Sequence, residues 1–439
     1  MKLNILAVGV AAALSMVALS AHATNGYFSH GYGMKSKGMG GASTARTDDA
    51  FGGANNPASM VWVGNRIDAG MDLFSPIRSA SRTGSANGID SSADSDKELF
   101  GIPEFGYNRM LKPDLSVGVT VYGNGGMNTD YPANKITSVA GSGLCNFFQT
   151  GAAGAGTADY NMLCGNQSLG VDLVQLIIAP TVSYKINEKH SVGVSPLIGY
   201  QQFEAYGLNA FLGMSSDATS VTDRKTDSAL GVGVRFGWLS KITDNVTVGA
   251  AYASKIDMDK LEKYQGLFAE QGDFDIPANY SLGISIKATP KVTVALDYQR
   301  IEYSDVNSVA NPSTNAAALG ANAGRGFGWS DMDIWKLGIE YVHNKQWTFR
   351  GGYSHADQPI SARDVTFNIL APAVIEDHVT LGFTYTLASG NELTVSYMHA
   401  FENSVTGSSL FTALGAGASG NETIKMHQDS IGIAYSWKM

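Results

Sequence analysis

Between residues 66 and 437 the sequence is a series of short segments in which apolar and polar residues alternate. In one of them every second residue from Leu230 to Trp238 is apolar, whereas three glycines and Arg235 lie between them. Successive side chains of a β-strand point to opposite faces, so each segment predicts a strand with one apolar and one polar face. A soluble β-sandwich has the same period, so alternation alone does not identify a membrane protein.

The two ends of the chain favour a membrane protein. Residues 1–23 are typical of a secretory signal peptide, because Lys2 precedes an apolar run that ends at the small-x-small cleavage site Ala21-His22-Ala23. The last segment places four apolar residues on one face, namely Ile431, Ile433, Tyr435 and Trp437. An exported chain with such a final strand predicts an all-β, transmembrane antiparallel barrel in the outer membrane of a Gram-negative bacterium. No apolar run after residue 23 is long enough for a transmembrane helix.

Composition agrees with this interpretation. Charged residues make up 16% of the chain, and the net charge of -9 argues against nucleic acid as a partner. The two cysteines, Cys145 and Cys164, lie in one polar stretch of an exported chain, where oxidising conditions favour a disulfide. A pair of free thiols is the alternative.

The alternation predicts about fourteen strands, an even number, as in single-chain bacterial barrels. We place them at 66–74, 98–110, 115–125, 171–186, 190–205, 228–242, 245–256, 278–288, 292–303, 332–344, 346–355, 377–387, 391–402 and 425–438. Connections of a few turn-forming residues follow every second strand, and long loops follow the others. This asymmetry places the short turns in the periplasm and the long loops outside the cell.

Residues 24–65 precede the first strand and have no alternation long enough to join the wall. They contain too many apolar anchors for a solvated tail, and a barrel of fourteen strands has a lumen that its own side chains do not fill. We therefore expect an N-terminal hatch at 24–65 that plugs the barrel formed by 66–439. A disordered periplasmic tail is the alternative.

Several motifs resemble the long-chain fatty acid transporters of the outer membrane, the FadL family. They are Gly38-Met39-Gly40-Gly41-Ala42, Asp48-Asp49-Ala50, Asn56-Pro57-Ala58, Ile102-Pro103, Gly266-Leu267-Phe268, the stretch 274–280 and Arg350-Gly351-Gly352-Tyr353. The resemblance spans essentially the whole mature chain. It implies a fourteen-stranded barrel with an N-terminal hatch that moves hydrophobic molecules inward without an energy source. In the family the ligand is caught between extracellular loops, passes a pocket beside the hatch and leaves sideways where one strand kinks.

Each part of this pathway has candidate residues here. The residues expected to bind ligand are Tyr27 and Phe28 in the hatch, Leu208, Phe211 and Leu212 in one long loop, and Met258, Leu261, Tyr264, Leu267 and Phe268 in the next. The spacing of the last group predicts one face of a short helix. The alternative is that these loop residues only pack the loops against each other.

Two segments are candidates for gating. Gly123, Asn124, Gly125 and Gly126 interrupt the third strand, where glycine and asparagine allow a bulge or kink that opens the wall. An ordinary strand end is the alternative. Asn56, Pro57 and Ala58 predict a defined turn beneath this kink, through which a shift of Tyr27 and Phe28 would be relayed.

The expected function is passive uptake of long-chain fatty acids or other hydrophobic compounds by a monomer in contact with outer-membrane lipid. Aromatic or alkane hydrocarbons are the alternative cargo within the family, and a barrel-anchored surface binding protein is the alternative outside it. No enzyme, cofactor or metal site is expected, since His378 and His399 lie in ordinary strands. A fatty acid carboxylate would favour a cation, for which the candidates are Arg46, Arg78, Lys255 and Lys260.

Overall fold

The wall of the barrel is one antiparallel sheet, seen in a computed structural model that describes residues 24–152 and 159–439. The expected signal peptide at 1–23 lies outside the described residues. Within the described part of the chain fourteen strands follow one another around the wall: β1 (Arg66–Ser85), β2 (Phe100–Lys112), β3 (Leu115–Tyr131), β4 (Leu169–Lys185), β5 (His190–Tyr206), β6 (Asp227–Lys241), β7 (Val246–Ala253), β8 (Asn279–Thr289), β9 (Val292–Ile301), β10 (Met332–Val342), β11 (Trp347–Ala356), β12 (Asp377–Thr386), β13 (Glu392–Ser408) and β14 (Ser419–Lys438). The sheet closes because β14 pairs with β1 from Arg66 opposite Lys438 to Ser85 opposite Ser419.

The alternating pattern sorts side chains between the lipid-facing surface and the lumen. In β6, Leu230 and Val232 point outward and are 55% and 67% exposed, whereas Arg235 points inward and is 4% exposed. A barrel in a membrane requires apolar side chains on the outer face of its strands, because that face contacts lipid hydrocarbon and not water. The predicted barrel fold is therefore confirmed.

Four strands are longer by five or more residues than the sequence pattern predicts. β1 runs to Ser85 instead of residue 74, β3 to Tyr131 instead of 125, and β13 to Ser408 instead of 402, whereas β14 begins at Ser419 instead of 425. Their extra length lies towards the long loops, where the outer face is polar, as in Ser79, Ser81 and Thr83 of β1. Alternation with apolar residues therefore stops where the strand leaves the apolar band, although backbone pairing continues.

The long loops contain the short helices. Helical segments lie at Val139–Thr150, Asn209–Met214, Ala218–Ser220, Glu262–Tyr264, Ala269–Gly272, Tyr303–Asp305, Asn307–Ala310, Ala362–Asp364, Val365–Asn368 and Leu410–Ala413. Two short extended segments, Ser91–Asp94 and Asp257–Met258, pair with β1 and β6. Across residues 24–152 and 159–439, no helix has the length and apolar character needed to cross a membrane.

Residues 24–65 lie inside the barrel. Helical turns at Met34–Lys37 and Pro57–Trp62 belong to this hatch. Its cations pair with carboxylates on different parts of the wall: Lys37 with Asp72 of β1 at 2.6 Å, Lys35 with Glu392 of β13 at 2.7 Å and Arg46 with Glu340 of β10 at 2.9 Å. Because these partners are spread around the wall, the hatch occupies the lumen as a plug.

Candidate ligand path and gate

An apolar cavity of about 40 Å³ lies between the long loops. Its lining brings together residues from five parts of the chain: Leu163, Val171, Phe203, Leu208, Phe211, Leu267, Phe268, Ser308, Leu319, Arg325, Gly326, Phe327, Phe367 and Leu370. Four of the expected ligand-binding residues are among them. The same residues also pack the loops together, since Leu208, Phe211 and Phe268 are almost fully buried.

The other expected loop residues lie around this cavity instead of lining it. Met258 pairs with Gly231 of β6, so its side chain lies against the wall. Leu261 and Tyr264 are buried, and the ring of Tyr264 lies 4.8 Å from that of Phe203. Burial raises the pKa of the Tyr264 phenol to about 12. Leu212 is partly buried and packs against the same core.

The prediction of a short helix across 258–268 is wrong. The segment instead contains a two-residue bridge, a single helical turn at Glu262–Tyr264 and, just beyond, Glu270 and Gln271 with left-handed φ of 55° and 58°. Pairing of Met258 with β6 fixes the start of the segment as extended chain, so a continuous helix cannot form there.

A series of aromatic contacts leads from the cavity to the hatch. The ring of Phe268 lies 4.7 Å from that of Phe274, which lies 6.1 Å from that of Tyr27. Tyr27 in turn lies 5.2 Å from Tyr303 and 5.5 Å from Phe28. Burial raises the pKa of the Tyr27 phenol well above its ordinary value. The two expected hatch residues, Tyr27 and Phe28, therefore lie at the inner end of this series of packed aromatic rings.

A second cavity, of about 30 Å³, lies beside Phe28 and Tyr32, between the hatch and the wall. Its lining is largely polar and includes Arg235, Asp297 and Lys336. The carboxylate of Asp297 accepts hydrogen bonds from the backbone N–H groups of Ser43 and Thr44 at 2.7 and 2.8 Å. The aromatic residues Phe28 and Tyr32 of the hatch therefore lie next to a polar region of the lumen.

The third strand has a bulge at the expected place. Its pairing with β4 shifts register between Gly123 and Gly125, and its pairing with β2 ends at Tyr122 opposite Glu104. Beyond this point β3 continues to Tyr131 without β2 as a neighbour. The alternative of an ordinary strand end is therefore wrong, and one edge of β3 is free of the wall strand beside it.

The hatch covers this edge. Phe28 forms a bridge with Gly125, Gly126 N–H donates to the carbonyl of Tyr27 at 3.1 Å, and Ser29 N–H donates to that of Asn124 at 3.1 Å. A Cβ on Gly125 would lie 1.7 Å from the carbonyl oxygen of Tyr27. Glycine is therefore required at 125 for the hatch to pair with the strand.

The turn formed by Asn56, Pro57 and Ala58 lies elsewhere than expected. Asn56 caps the turn by accepting a hydrogen bond from Ala58 N–H at 3.1 Å, and its amide donates to the carbonyl of Trp238 at 3.0 Å. Pro57 packs closely against Gly193 of β5 and Gly237 of β6. The turn is thus fixed against β5 and β6 and not beneath the bulge in β3.

Tyr32 connects the turn to the bulge. Its phenol donates to the side-chain oxygen of Asn124 at 3.1 Å, and its carbonyl accepts a hydrogen bond from the amide of Asn55 at 2.9 Å. Asn55 directly precedes the turn. Sequence reasoning did not select Tyr32, because one tyrosine in a hatch has no pattern that distinguishes it.

Cys145 and Cys164 form a disulfide that joins the helix Val139–Thr150 to the end of its own loop. Phe148 of this helix lies 5.0 Å from Phe411, in the last long loop. The disulfide therefore fixes a helix that packs over the apolar loops.

The cations proposed from the sequence have other partners. Arg46 pairs with Asp48 and Glu340, and Lys255 pairs with Asp275 at 2.5 Å. Arg78 and Lys260 donate to backbone carbonyls. The charged side chain that lines the apolar cavity is Arg325, whose guanidinium donates to the backbone carbonyl of Ser313 at 2.6 Å. An arginine in a loop without regular structure gave no sequence pattern by which to select it.

Known proteins share this architecture. The family model described as outer membrane protein transport protein (OMPP1/FadL/TodX) matches residues 153–437. The toluene transporter TodX of Pseudomonas putida superposes with a TM-score of 0.67 at 18% identity, covering 93% of this chain and 99% of TodX. The toluene transporter TbuX of Ralstonia pickettii gives 0.63 at 19% identity, with 93% and 99% covered.

A FadL homologue of Pseudomonas aeruginosa gives a TM-score of 0.64 at 14% identity and covers 94% of this chain and 99% of its own. No curated protein sequence matches significantly. The structural similarities, at these identities, establish the fold. The family model covers more than half of the sequence, and the chain therefore belongs to the FadL/TodX family of outer-membrane transport proteins.

Proposed function

We propose that this protein is a passive channel that carries hydrophobic small molecules inward across the outer membrane. The observation that supports this most directly is the continuous series of aromatic contacts from the loop cavity, through Phe274, to Tyr27 and Phe28 at the bulge in β3. An apolar molecule that enters the cavity exchanges water for apolar surface, which favours capture without an energy source. One barrel contains the whole path, so the proposal needs only a monomer and involves no enzymatic step.

Release requires the first residues of the hatch to move. Ligand that displaces Tyr27 and Phe28 breaks the bridge to Gly125 and uncovers the edge of β3 that β2 does not cover. Hydrophobic cargo then leaves sideways into lipid. Tyr32 transmits the displacement to Asn55 and so to the turn at Asn56 and Pro57.

The presence of Arg325 in the lining of the cavity favours an amphipathic cargo with an acidic head, such as a long-chain fatty acid. Arg325 lies at a wall that is otherwise apolar, and its guanidinium donates to the carbonyl of Ser313 at 2.6 Å while keeping further donors available. A carboxylate placed there would accept charge-assisted hydrogen bonds. TodX and TbuX are toluene transporters, so a monoaromatic hydrocarbon is the competing cargo within the same mechanism.

Uptake assays test the proposal. Cells that lack their own transporter of this type are given this protein, and uptake of labelled oleate and labelled toluene is measured side by side. We expect oleate uptake well above that of cells without the protein. Replacement of Asn56 and Pro57 by alanine should lower it several-fold, whereas Asn187→Ala with Pro290→Ala, in the periplasmic turns, should not. Uptake of neither compound by the unaltered protein would reject the channel in favour of a surface anchor.

A further inference from the structure

Three strand pairs repeat the same constellation of side chains on the outer face of the barrel. In each, a tyrosine and a basic residue lie two positions apart on one strand, and an aspartate on the next strand lies directly opposite the basic residue. The three sets are Tyr298, Arg300 and Asp333 on β9 and β10; Tyr353, His355 and Asp377 on β11 and β12; and Tyr397, His399 and Asp429 on β13 and β14. We call these the three outer triads.

The hydrogen bonds within the triads are also the same. Tyr298 donates to Asp333 at 2.5 Å, Tyr353 to Asp377 at 2.5 Å and Tyr397 to Asp429 at 2.6 Å. The basic residue reaches the same oxygen, Oδ1, at 3.1 Å from Arg300, 2.8 Å from His355 and 3.0 Å from His399. Two donors occupy part of the capacity of a carboxylate, which accepts about four hydrogen bonds. Each triad thus holds a fixed carboxylate with acceptor sites to spare.

The triads mark one level on the barrel. Below Asp333 the outer face of β10 carries Trp335, Leu337, Ile339 and Tyr341. In all three strands an aromatic residue lies eight positions after the aspartate: Tyr341 after Asp333, Tyr385 after Asp377 and Trp437 after Asp429. At about 3.3 Å per residue and a tilt of about 40°, eight positions span about 20 Å, close to the height of the apolar band of such barrels. The triads therefore lie at the extracellular border of this band.

A fourth site of the same geometry lacks the charges. On β5 and β6 the corresponding residues are Tyr200, Gln202 and Ser228, and Gln202 donates to the phenol oxygen of Tyr200 at 2.7 Å. The charged triads are consequently confined to the side of the barrel formed by β9 to β14. A general requirement for aromatic residues at the interface would not select aspartate and a basic partner on that side alone.

We propose that the three outer triads bind the sugar head groups of the glycolipid in the outer leaflet, lipopolysaccharide. A sugar hydroxyl both donates and accepts, and each triad offers it a carboxylate acceptor, a phenol oxygen and a ring nitrogen or guanidinium. The triads are exposed at the level where these head groups begin, with His355 and His399 exposed by 46% and 36% at the side chain. Their carboxylates are anionic, so hydrogen bonding to sugar, and not attraction of phosphate, accounts for the binding.

Native mass spectrometry of the purified full chain in uncharged detergent tests this, with the sugar-bearing Kdo2–lipid A as the probe and phosphatidylglycerol as the second lipid. The variant D333N/D377N/D429N should bind Kdo2–lipid A about tenfold more weakly than the unaltered chain, because a neutral amide oxygen accepts weaker hydrogen bonds from sugar hydroxyls than a charged carboxylate does. Binding of phosphatidylglycerol should not weaken. The heat-dependent gel mobility of the barrel reports that each variant has folded.

The control variant D114N/E188Q/D244N removes the same three charges in periplasmic turns and should bind Kdo2–lipid A as the unaltered chain does. Attraction between protein and lipid phosphate would give the opposite sign, since removal of three negative charges would then tighten binding. Tighter or unchanged binding by D333N/D377N/D429N overturns the proposal. The proposal is also overturned if the unaltered chain gives dimers that only D333N/D377N/D429N loses, since the triads would then hold two copies of the chain together.

Discussion

The phenol oxygen of Tyr32 lies 3.1 Å from the side-chain oxygen of Asn124, to which it donates, and its ring lies 4.6 Å from that of Tyr122. Tyr32 of the hatch thereby contacts Asn124, the residue at the register shift of β3. Asn124 is 1% exposed, and its amide also donates to Gln175 at 3.0 Å. The bulge is therefore a buried polar junction between hatch and wall, so its stability depends on a few hydrogen bonds.

Tyr32→Phe removes the hydrogen bond to Asn124 and keeps the ring. We expect faster amide hydrogen exchange in residues 24–32 and 122–130, by about fivefold, since loss of one buried hydrogen bond costs on the order of 1 kcal/mol. Exchange followed by mass spectrometry measures this. Tyr107→Phe, on the outer face of β2, is the control. Equal exchange in Tyr32→Phe and the unaltered protein would show that the junction does not hold the hatch.

Gly125→Ala should detach the first residues of the hatch from β3, because the added Cβ would lie 1.7 Å from the carbonyl oxygen of Tyr27. The edge of β3 is then uncovered without ligand. We expect entry of an apolar fluorescent dye into intact cells to rise several-fold. Gly101→Ala is the matched control, since the nearest atom to its Cβ is the sulfur of Met71 at 3.6 Å. Dye entry no faster than in that control would argue against this exit.

Arg325→Gln should separate the two classes of cargo. It removes the charge from the loop cavity while leaving its apolar lining, so uptake of oleate should fall about fivefold or more, as expected for a charge-assisted hydrogen bond. Uptake of toluene should be unchanged. The control is Arg224→Gln, in a neighbouring loop. Equal losses for oleate and toluene would mean that Arg325 supports the cavity without recognising the cargo.

Asp273 should make the loop over the cavity sensitive to pH. Burial, together with the charges of Asp275 and Glu270, raises the pKa of its carboxyl to about 7, whereas its ordinary value is 3.8. The Asp273 backbone oxygen accepts a hydrogen bond from Ser308, which lines the cavity, at 2.5 Å. Lys255 is close by but pairs with Asp275.

Between these two pKa values the folded loop keeps a proton that the unfolded loop has lost. The stability of the folded loop therefore falls as the pH rises from about 4 to about 7, and it is constant above. Hydrogen exchange of residues 269–276, corrected for intrinsic rates, should be faster at pH 8 than at pH 5.5. Asp273→Asn should remove most of this difference, whereas Asp259→Asn should keep it. A pH dependence that survives in Asp273→Asn would assign it to another group.

The barrel could be predicted from the sequence because the lipid-facing surface imposes a period of two on every strand it covers. The same rule explains why the predicted strands were too short, since β1 and β14 continue beyond the apolar band with polar residues on their outer faces. The run from Gly123 to Gly126 indicated the bulge, because glycine tolerates the irregular backbone. The position of Asn56 and Pro57 against β5 and β6 could not be predicted, since it depends on how the hatch is rotated in the lumen. Phe274 and Arg325 belong to loops whose arrangement arises only from contacts between them.

The unequal attachment of the hatch has a consequence for the cell. Lys35, Lys37 and Arg46 hold its body to the wall through ion pairs, whereas the residues around Phe28 are held by hydrogen bonds and ring contacts. On the proposed mechanism, cargo displaces the leading end and Tyr32 passes the movement to the turn at Asn56, whereas the ion pairs keep the segment from Lys35 to Arg46 on the wall. If that segment of the hatch stays on the wall throughout, as this mechanism proposes, the lumen does not open into a continuous aqueous pore, and hydrophobic nutrients enter without admitting water-soluble antibiotics by the same route.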